Sequence, residues 1–195
     1  MAVTLGPVSW ERMIRAVEDV RDRCNRAAAA LEAAGVPYAV IGGNAVAAWV
    51  SRVDVGAVRN TKDVDILLRR ADLPAADAAM TAAGFVRTDV MDVPIYLDGP
   101  DGLPSRGVHV IVAGERVKPA DPVPAPDVTE SEPGDNFRVL SLEALLRMKL
   151  TANRRKDLVH VTDLQGVGLI DGTWPARFPP PLDARLQAVL DDPDG

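Results

Sequence analysis

Aromatic residues are scarce in this chain: three Trp, two Tyr and three Phe make up 4% of 195 residues. A core with so few rings must be packed by Ala, Val and Leu. It also leaves no basic strip studded with aromatics on which the bases of long single-stranded nucleic acid could stack. Cysteine is nearly missing as well. Cys24 stands alone, which excludes an internal disulfide, and its place in a helical apolar pattern reads as a small buried hydrophobe. No apolar run approaches the roughly 20 residues of a membrane-crossing helix. Met1–Pro7 lacks the basic start and apolar stretch of a signal peptide. A cytoplasmic protein with no membrane partner is expected. An excess of positive charge is absent too. The net charge of −6 makes the molecule as a whole no electrostatic match for nucleic acid, although local basic clusters can still meet phosphates.

What is present is a chain with 47% hydrophobic residues, enough to bury a real core in one medium domain or a core with a small appendage. Ser9 is a fitting N-cap, and Trp10 to Ala34 reads as one long helix. Met13, Ile14, Val17, Val20, Cys24, Ala27 and Leu31 recur at helical spacing, and Gly35 is the stop. Pro37–Ile41 reads as a short buried strand, Gly42-Gly43 as a sharp turn, Asn44–Val50 as a short helix and Asp63–Leu68 as a second strand. Leu73–Ala83 is an Ala-rich helix closed by Gly84. Phe85–Val90, Pro94–Leu97 and Val108–Val112 are further strands, separated by Asp, Gly and Pro turns. Lys118–Gly134 is rich in Pro, Asp and Glu and reads as a surface linker. Phe137–Leu140, a helix capped by Ser141, a helix from Arg155 to Leu164, a short helix near Leu182–Leu190 and an acidic tail complete the chain. This order predicts an α/β (α+β) fold, a mixed sheet with flanking helices and a C-terminal helical segment. The expected divisions are an N-terminal helix over 1–36, a core over 37–117, a linker over 118–136 and the helical segment over 137–195.

The sharpest local feature is Thr61-Lys62-Asp63-Val64-Asp65-Ile66-Leu67. Alternate residues of a strand share a face, so Asp63 and Asp65 point one way while Val64 and Ile66 point into the core. Two adjacent carboxylates repel each other unless a cation compensates them, and a hard divalent ion that also binds phosphates suits the pair. Upstream, Gly42-Gly43 follows a strand and opens a helix. Glycine lets the backbone approach a phosphate closely, and the helix start offers unpaired N–H groups and a favourable dipole.

The two features in this order resemble the nucleotidyltransferase superfamily related to DNA polymerase β. The matching segments are Ile41-Gly42-Gly43-Asn44-Ala45-Val46-Ala47 and Arg59-Asn60-Thr61-Lys62-Asp63-Val64-Asp65-Ile66-Leu67. The Arg-x-Thr-x-Asp-x-Asp form is similar to the branch holding abortive-infection-type toxins and some antibiotic nucleotidyltransferases. Leu145-Leu146-Arg147-Met148-Lys149, trailed by Arg154, Arg155, Lys156, Asp157 and Asp163, is similar to a helix of those toxins. The resemblance implies the nucleotidyltransferase fold. It also implies transfer of a nucleoside monophosphate from a nucleoside triphosphate to a hydroxyl of RNA, protein or a small molecule. Asp63 and Asp65 would hold magnesium, or manganese. Gly42, Gly43, Asn44, Arg59, Thr61, Lys149 and Arg155 would surround the nucleotide, and Asp157 or Asp163 would orient Lys149 or bind substrate.

One element departs from that pattern. The superfamily carries a third carboxylate on a later strand, and the matching position here is His109. Histidine can act as a base near neutral pH but is a poor magnesium ligand. Glu115, just past the strand, is another acid to weigh, and His109 with His160 is another pair to weigh as metal ligands. Three options stay open: weakened catalysis, a modified catalytic arrangement, or a nucleotide-binding relic acting in a toxin–antitoxin-like pair, with a cognate toxin or antitoxin as partner.

Overall fold

The computed structural model describes residue 6, residues 8–90 and residues 93–193. The residues ahead of Gly6, read above as lacking a leader, and the last two of the acidic tail lie outside these. The β-strands are β1 (Tyr38–Ile41), β2 (Val64–Leu68), β3 (Phe85–Val90), β4 (Val93–Asp98), β5 (Val108–Val112), β6 (Ser131–Pro133) and β7 (Arg138–Leu140). The helices are α1 (Trp10–Ala33), α2 (Gly42–Ser51), α3 (Leu73–Ala82), α4 (Leu142–Ala152), α5 (Arg155–Gly166) and α6 (Leu182–Asp191). The strands form one mixed sheet in the order β3-β4-β5-β2-β1-β7-β6. β1 runs antiparallel to β2, while β2 pairs parallel with β5 and β1 parallel with β7.

Strict alternation in the central strands divides the core into two layers. Tyr38 and Val40 of β1, with Val64, Ile66 and Leu68 of β2, face a layer made by α1 and α3. Ala39, Ile41 and Leu67 face the opposite layer, made by α2, α4, α5 and α6. Because both faces are covered, β1 reads as a continuous apolar run. Asp65 shares the α2/α4/α5 side with Leu67, since it lies two residues away along the strand. The few rings carry polar tips that find partners. The Tyr38 hydroxyl donates to Glu32 at 2.7 Å and accepts the Arg138 N–H at 3.1 Å, tying α1 to β7. Cys24 is buried in the α1 layer, and burial pushes its thiol up to about 12.

The expected elements are present with shifted edges. β2 begins at Val64, so Asp63 stands just ahead of the ladder, and α2 starts at Gly42 itself rather than at Asn44. The segment read as a linker contributes β6 and buries Ala125 and Val128. Reciprocal bonds between Gly114, Glu115 and Ala125 fold residues 115–125 into a closed loop. The apolar stripe of α1 is also divided. From Val20 onward it packs on the sheet, whereas Trp10, Met13 and Ile14 are exposed. A helix of 24 residues, roughly 36 Å long, outruns the sheet it covers. Among the described residues, no helix is long and apolar enough to cross a membrane.

The turn between α4 and α5 depends on Asn153, which takes the left-handed conformation at φ 47° and gives its N–H to the Lys149 carbonyl. Asparagine tolerates that region better than other residues with a Cβ. Asn153→Ala is expected to cost about 1 kcal/mol, and Asn153→Gly to be neutral or slightly stabilising. Urea denaturation of the two variants checks this, and equal losses would contradict it.

Candidate active site

The end of β1 and the start of β2 lie side by side, with Ile41 opposite Asp65. The chain leaves β1 through Gly42 with φ +69°, a left-handed conformation, directly against that carboxylate. A Cβ on Gly42 would overlap the Asp65 oxygen and lie 2.8 Å from its Cγ. Glycine is required here twice over, by the backbone angle and by the approach. Gly43 is crowded in turn by Thr61, whose Cβ and Oγ1 would stand 2.9 Å from an added Cβ. Asn44 donates from Nδ2 to the Asp63 carbonyl at 2.8 Å, pinning the segment before β2 onto α2. The N-cap of α2 is Ile41, whose side chain cannot accept a hydrogen bond. The first-turn N–H groups are thus left for an anion.

A cleft opens over this junction, lined by Gly42, Gly43, Thr61, Lys62, Asp63 and Asp65, and across from them by Lys149, Arg154, Lys156 and His160. Ala16 and Val17 of α1 form a further edge. Asp157, 1% exposed, organises the basic wall. It accepts from Arg154 Nε at 2.6 Å and from Lys149 Nζ at 3.4 Å. Burial works against its ionisation, yet Arg154 and Lys149 hold its carboxyl below the usual carboxylate range. Lys149 is itself buried, which lowers its ammonium, and it donates to His160 Nδ1 at 2.9 Å. His160 therefore carries its ring proton on Nε2. Burial first, and then the Lys149 charge, bring it down to about 4.

His109 sits on β5 in register with Asp65. Its Nε2 donates to the Pro104 carbonyl at 2.9 Å, and Nδ1 faces Asp65 Oδ1 at 3.6 Å. Asp65 raises its pKa above the ordinary value, because both nitrogens meet acceptors. His160 is committed to Lys149, so the two histidines do not converge on a common ligand position. Among the described residues, no group of three or more His, Cys, Asp or Glu is arranged to hold a metal ion. Glu115 is bound by Arg70 at 2.6 and 2.7 Å and lines neither cleft described here.

A second cleft meets the first at Gly42, Asp65, Lys149, Arg154 and Lys156. Its remaining walls are mainly apolar, with Ile41, Ile111, Val123, Ala125, Leu145 and Met148. No protein-family model and no curated protein matches this chain. Solved structures do. An antigenic nucleotidyltransferase-like protein from Paracoccidioides brasiliensis is similar at a TM-score of 0.54 and 16% identity, over 91% of this chain and 90% of that one. ANT(2")-Ia, in complex with adenylyl-2"-tobramycin, is similar at 0.51 and 14% identity, over 91% of this chain and 98% of that one. The chain has the nucleotidyltransferase fold.

Within that fold, the residues singled out in the sequence are distributed unevenly. Gly42, Gly43, Thr61, Asp63, Asp65 and Lys149 meet at the polar cleft. The Asn44 side chain is spent on the Asp63 carbonyl. Arg59 and Asp163 bind each other at 2.7 Å and line neither cleft, and Arg155 is an exposed residue that also lines neither. The sequence reading missed Arg154, Lys156 and His160 as a set. The signal was there, since Lys156 and His160 are four apart and share a helical face from which Arg155 is turned away.

Two measurements probe this geometry. Gly42→Ala is expected to destabilise the protein by more than Gly35→Ala does. Both glycines have positive φ, but only an added Cβ at Gly42 meets a side chain. Equal denaturation midpoints would show that the carboxylate contact carries no weight. His160 supplies the second. Its folded pKa of about 4 lies below the ordinary imidazole value of 6.5. The unfolded chain thus takes up the proton first as pH falls, so its contribution is complete above 6.5 and is lost toward 4. Between these limits the wild type should lose more stability than His160→Gln, and parallel losses would contradict a neutral His160.

Proposed function

We propose that this chain is a metal-dependent nucleotidyltransferase that moves a nucleoside monophosphate from a nucleoside triphosphate to a hydroxyl acceptor. The observation that carries this reading is the meeting of Asp63 and Asp65 with the uncapped Gly42-Gly43 helix start and the Lys149, Arg154 and Lys156 wall in one cleft. The two carboxylates offer hard oxygen donors and no soft ones. That fits magnesium or manganese, whose remaining positions are commonly filled by water and phosphate oxygens. A divalent ion held by Asp63 and Asp65 would neutralise charge developing on the reacting phosphate.

The protein's own groups divide the remaining work. The first-turn N–H groups of Gly42, Gly43 and Asn44 cradle the outer phosphates. Lys149, Arg154 and Lys156 supply charge-assisted bonds to them. Asp157 positions Lys149 and Arg154 rather than touching substrate, and Arg59 paired to Asp163 ties the loop bearing Thr61 to α5. The acceptor oxygen attacks the α-phosphorus in line, and the bond to pyrophosphate breaks. His109 is the candidate base. With Nε2–H held by Pro104, the proton it exchanges is on Nδ1, beside Asp65. Thermal unfolding with each of the four nucleoside triphosphates tests this reading. At about 100 times the dissociation constant, the right nucleotide with magnesium should stabilise the fold by about 2.7 kcal/mol. That gain should disappear in Asp63→Asn/Asp65→Asn. No gain with any nucleotide in the wild type would sink the proposal.

His109 beside Asp65, at the place of a third carboxylate, favours a second reading. The chain would bind nucleotide but transfer it weakly, as one member of a toxin–antitoxin-like pair. Pyrophosphate release by His109→Asp separates the two. A rise above wild type supports the weakened member, and a fall supports His109 as a working part of a modified site.

A further inference from the structure

The two clefts share the Asp65 carboxylate but differ in chemistry, and that difference bears on the acceptor. Gly42, Lys149, Arg154 and Lys156 border both clefts, but Gly43, Thr61 and Asp63 line the polar one alone, and that cleft is the one assigned to the triphosphate. In-line displacement places the attacking oxygen on the far side of the phosphorus from the leaving pyrophosphate. The adjoining space open to that oxygen is the second cleft, whose own lining is mainly Ile41, Ile111, Val123, Ala125, Leu145 and Met148, with Lys118, Asp121 and Thr151 among them. Its charged groups are largely spoken for. Lys149 and Arg154 are bound to Asp157, and Asp121 accepts the Lys118 N–H at 2.8 Å. An acceptor carrying several ammonium groups would have to shed water against apolar walls and beside Lys118 and Lys156, with Asp121 as the carboxylate left to meet it.

We infer that the acceptor of this chain is a small, uncharged compound with an apolar body and one hydroxyl directed at Asp65, an alcohol or phenol rather than a polycation. This inference rests on the nucleotidyltransferase reading above. It sets the chain apart from ANT(2")-Ia, whose solved complex holds adenylyl-2"-tobramycin. In the transfer, the hydroxyl oxygen bonds to the α-phosphorus, pyrophosphate leaves with the electron pair of the broken bond, and the hydroxyl proton passes to His109. Val123, on the closed loop, and Met148, on α4, are the specificity-determining contacts, both half-buried and both lining the second cleft.

The test uses the full chain with magnesium and whichever nucleoside triphosphate stabilises it, and follows transfer of the labelled nucleotidyl group. Three hydroxyl compounds are offered: tobramycin as a polycation, maltose as a neutral polar sugar, and 4-tert-butylphenol as a neutral apolar phenol. Transfer to the phenol should exceed transfer to the other two at least tenfold. Val123→Glu should lower it tenfold or more while the nucleotide-dependent gain in stability persists. Met148→Gln should act in the same direction, providing a second reading if Val123→Glu folds poorly. Preference for tobramycin or maltose, equal use of all three, or no transfer to the phenol while nucleotide binding is intact would overturn the acceptor class and leave the nucleotidyltransferase reading standing. Failure of every nucleotide to stabilise the wild type would remove that reading, and this inference with it.

Discussion

The passage of the backbone at Gly42 against the Asp65 carboxylate is the constraint around which the site is arranged. It decides where β1 stops and where α2 begins, and it sets the carboxylate against the helix start with no side chain between them. Thr61 crowds Gly43 in the same way, so the loop before β2 is seated on the glycine pair from above. Asn44 adds the bond to the Asp63 carbonyl. The result is a corner in which backbone donors and two carboxylates border one cleft, so that an anion bridged by a cation could meet both. Such preorganisation is what phosphoryl chemistry requires of a protein, since positioning and electrostatics do most of the work.

The opposite wall is held by a different device. Asp157 is nearly sealed from solvent and is tolerable there because Arg154 and Lys149 both bond to it. Both cations also line the polar cleft, so one buried carboxylate aims two positive groups at the place where phosphates are proposed to lie. His160, kept neutral by burial and by the Lys149 charge, spends its lone pair on that lysine. Asn153 makes this possible, since its left-handed turn brings the start of α5 back beside the end of α4. The surface pairs nearby, such as Arg70–Glu115 and Arg69–Asp127, are exposed and contribute modestly to stability. They join the residues just after β2 to the segment that follows β5.

Much of the fold was legible in the sequence, because periodicity, glycine stops and proline-rich breaks are local signals. The helix over α1, the alternation in β2 and the Ser141 cap could be read without reference to the rest of the chain. The edges were less legible. Asn44 looked like the helix start because a glycine pair reads as a turn, yet α2 opens at Gly42. The buried Ala125 and Val128 could not be anticipated in a stretch so rich in Pro, Asp and Glu, since their burial comes from loop-closing bonds to Gly114 and Glu115 and from distant partners. Nor does the pattern of α1 say that its first turns outrun the sheet, since Met13 and Cys24 occupy the same stripe.

The sequence by itself determined the mixed α/β class, the alternation of β2 that turns Asp65 away from Val64 and Ile66, and the glycine pair at the end of a buried strand. Each of these follows from spacing along a short segment. Tertiary structure alone decided which charges face one another. Arg59 and Asp163 lie 104 positions apart and find each other, while Lys149 is drawn to Asp157 and His160. It alone placed His109 against Asp65, through the parallel pairing of β2 and β5. Ion pairs and register depend on distances across the fold, and no local pattern of residues encodes them.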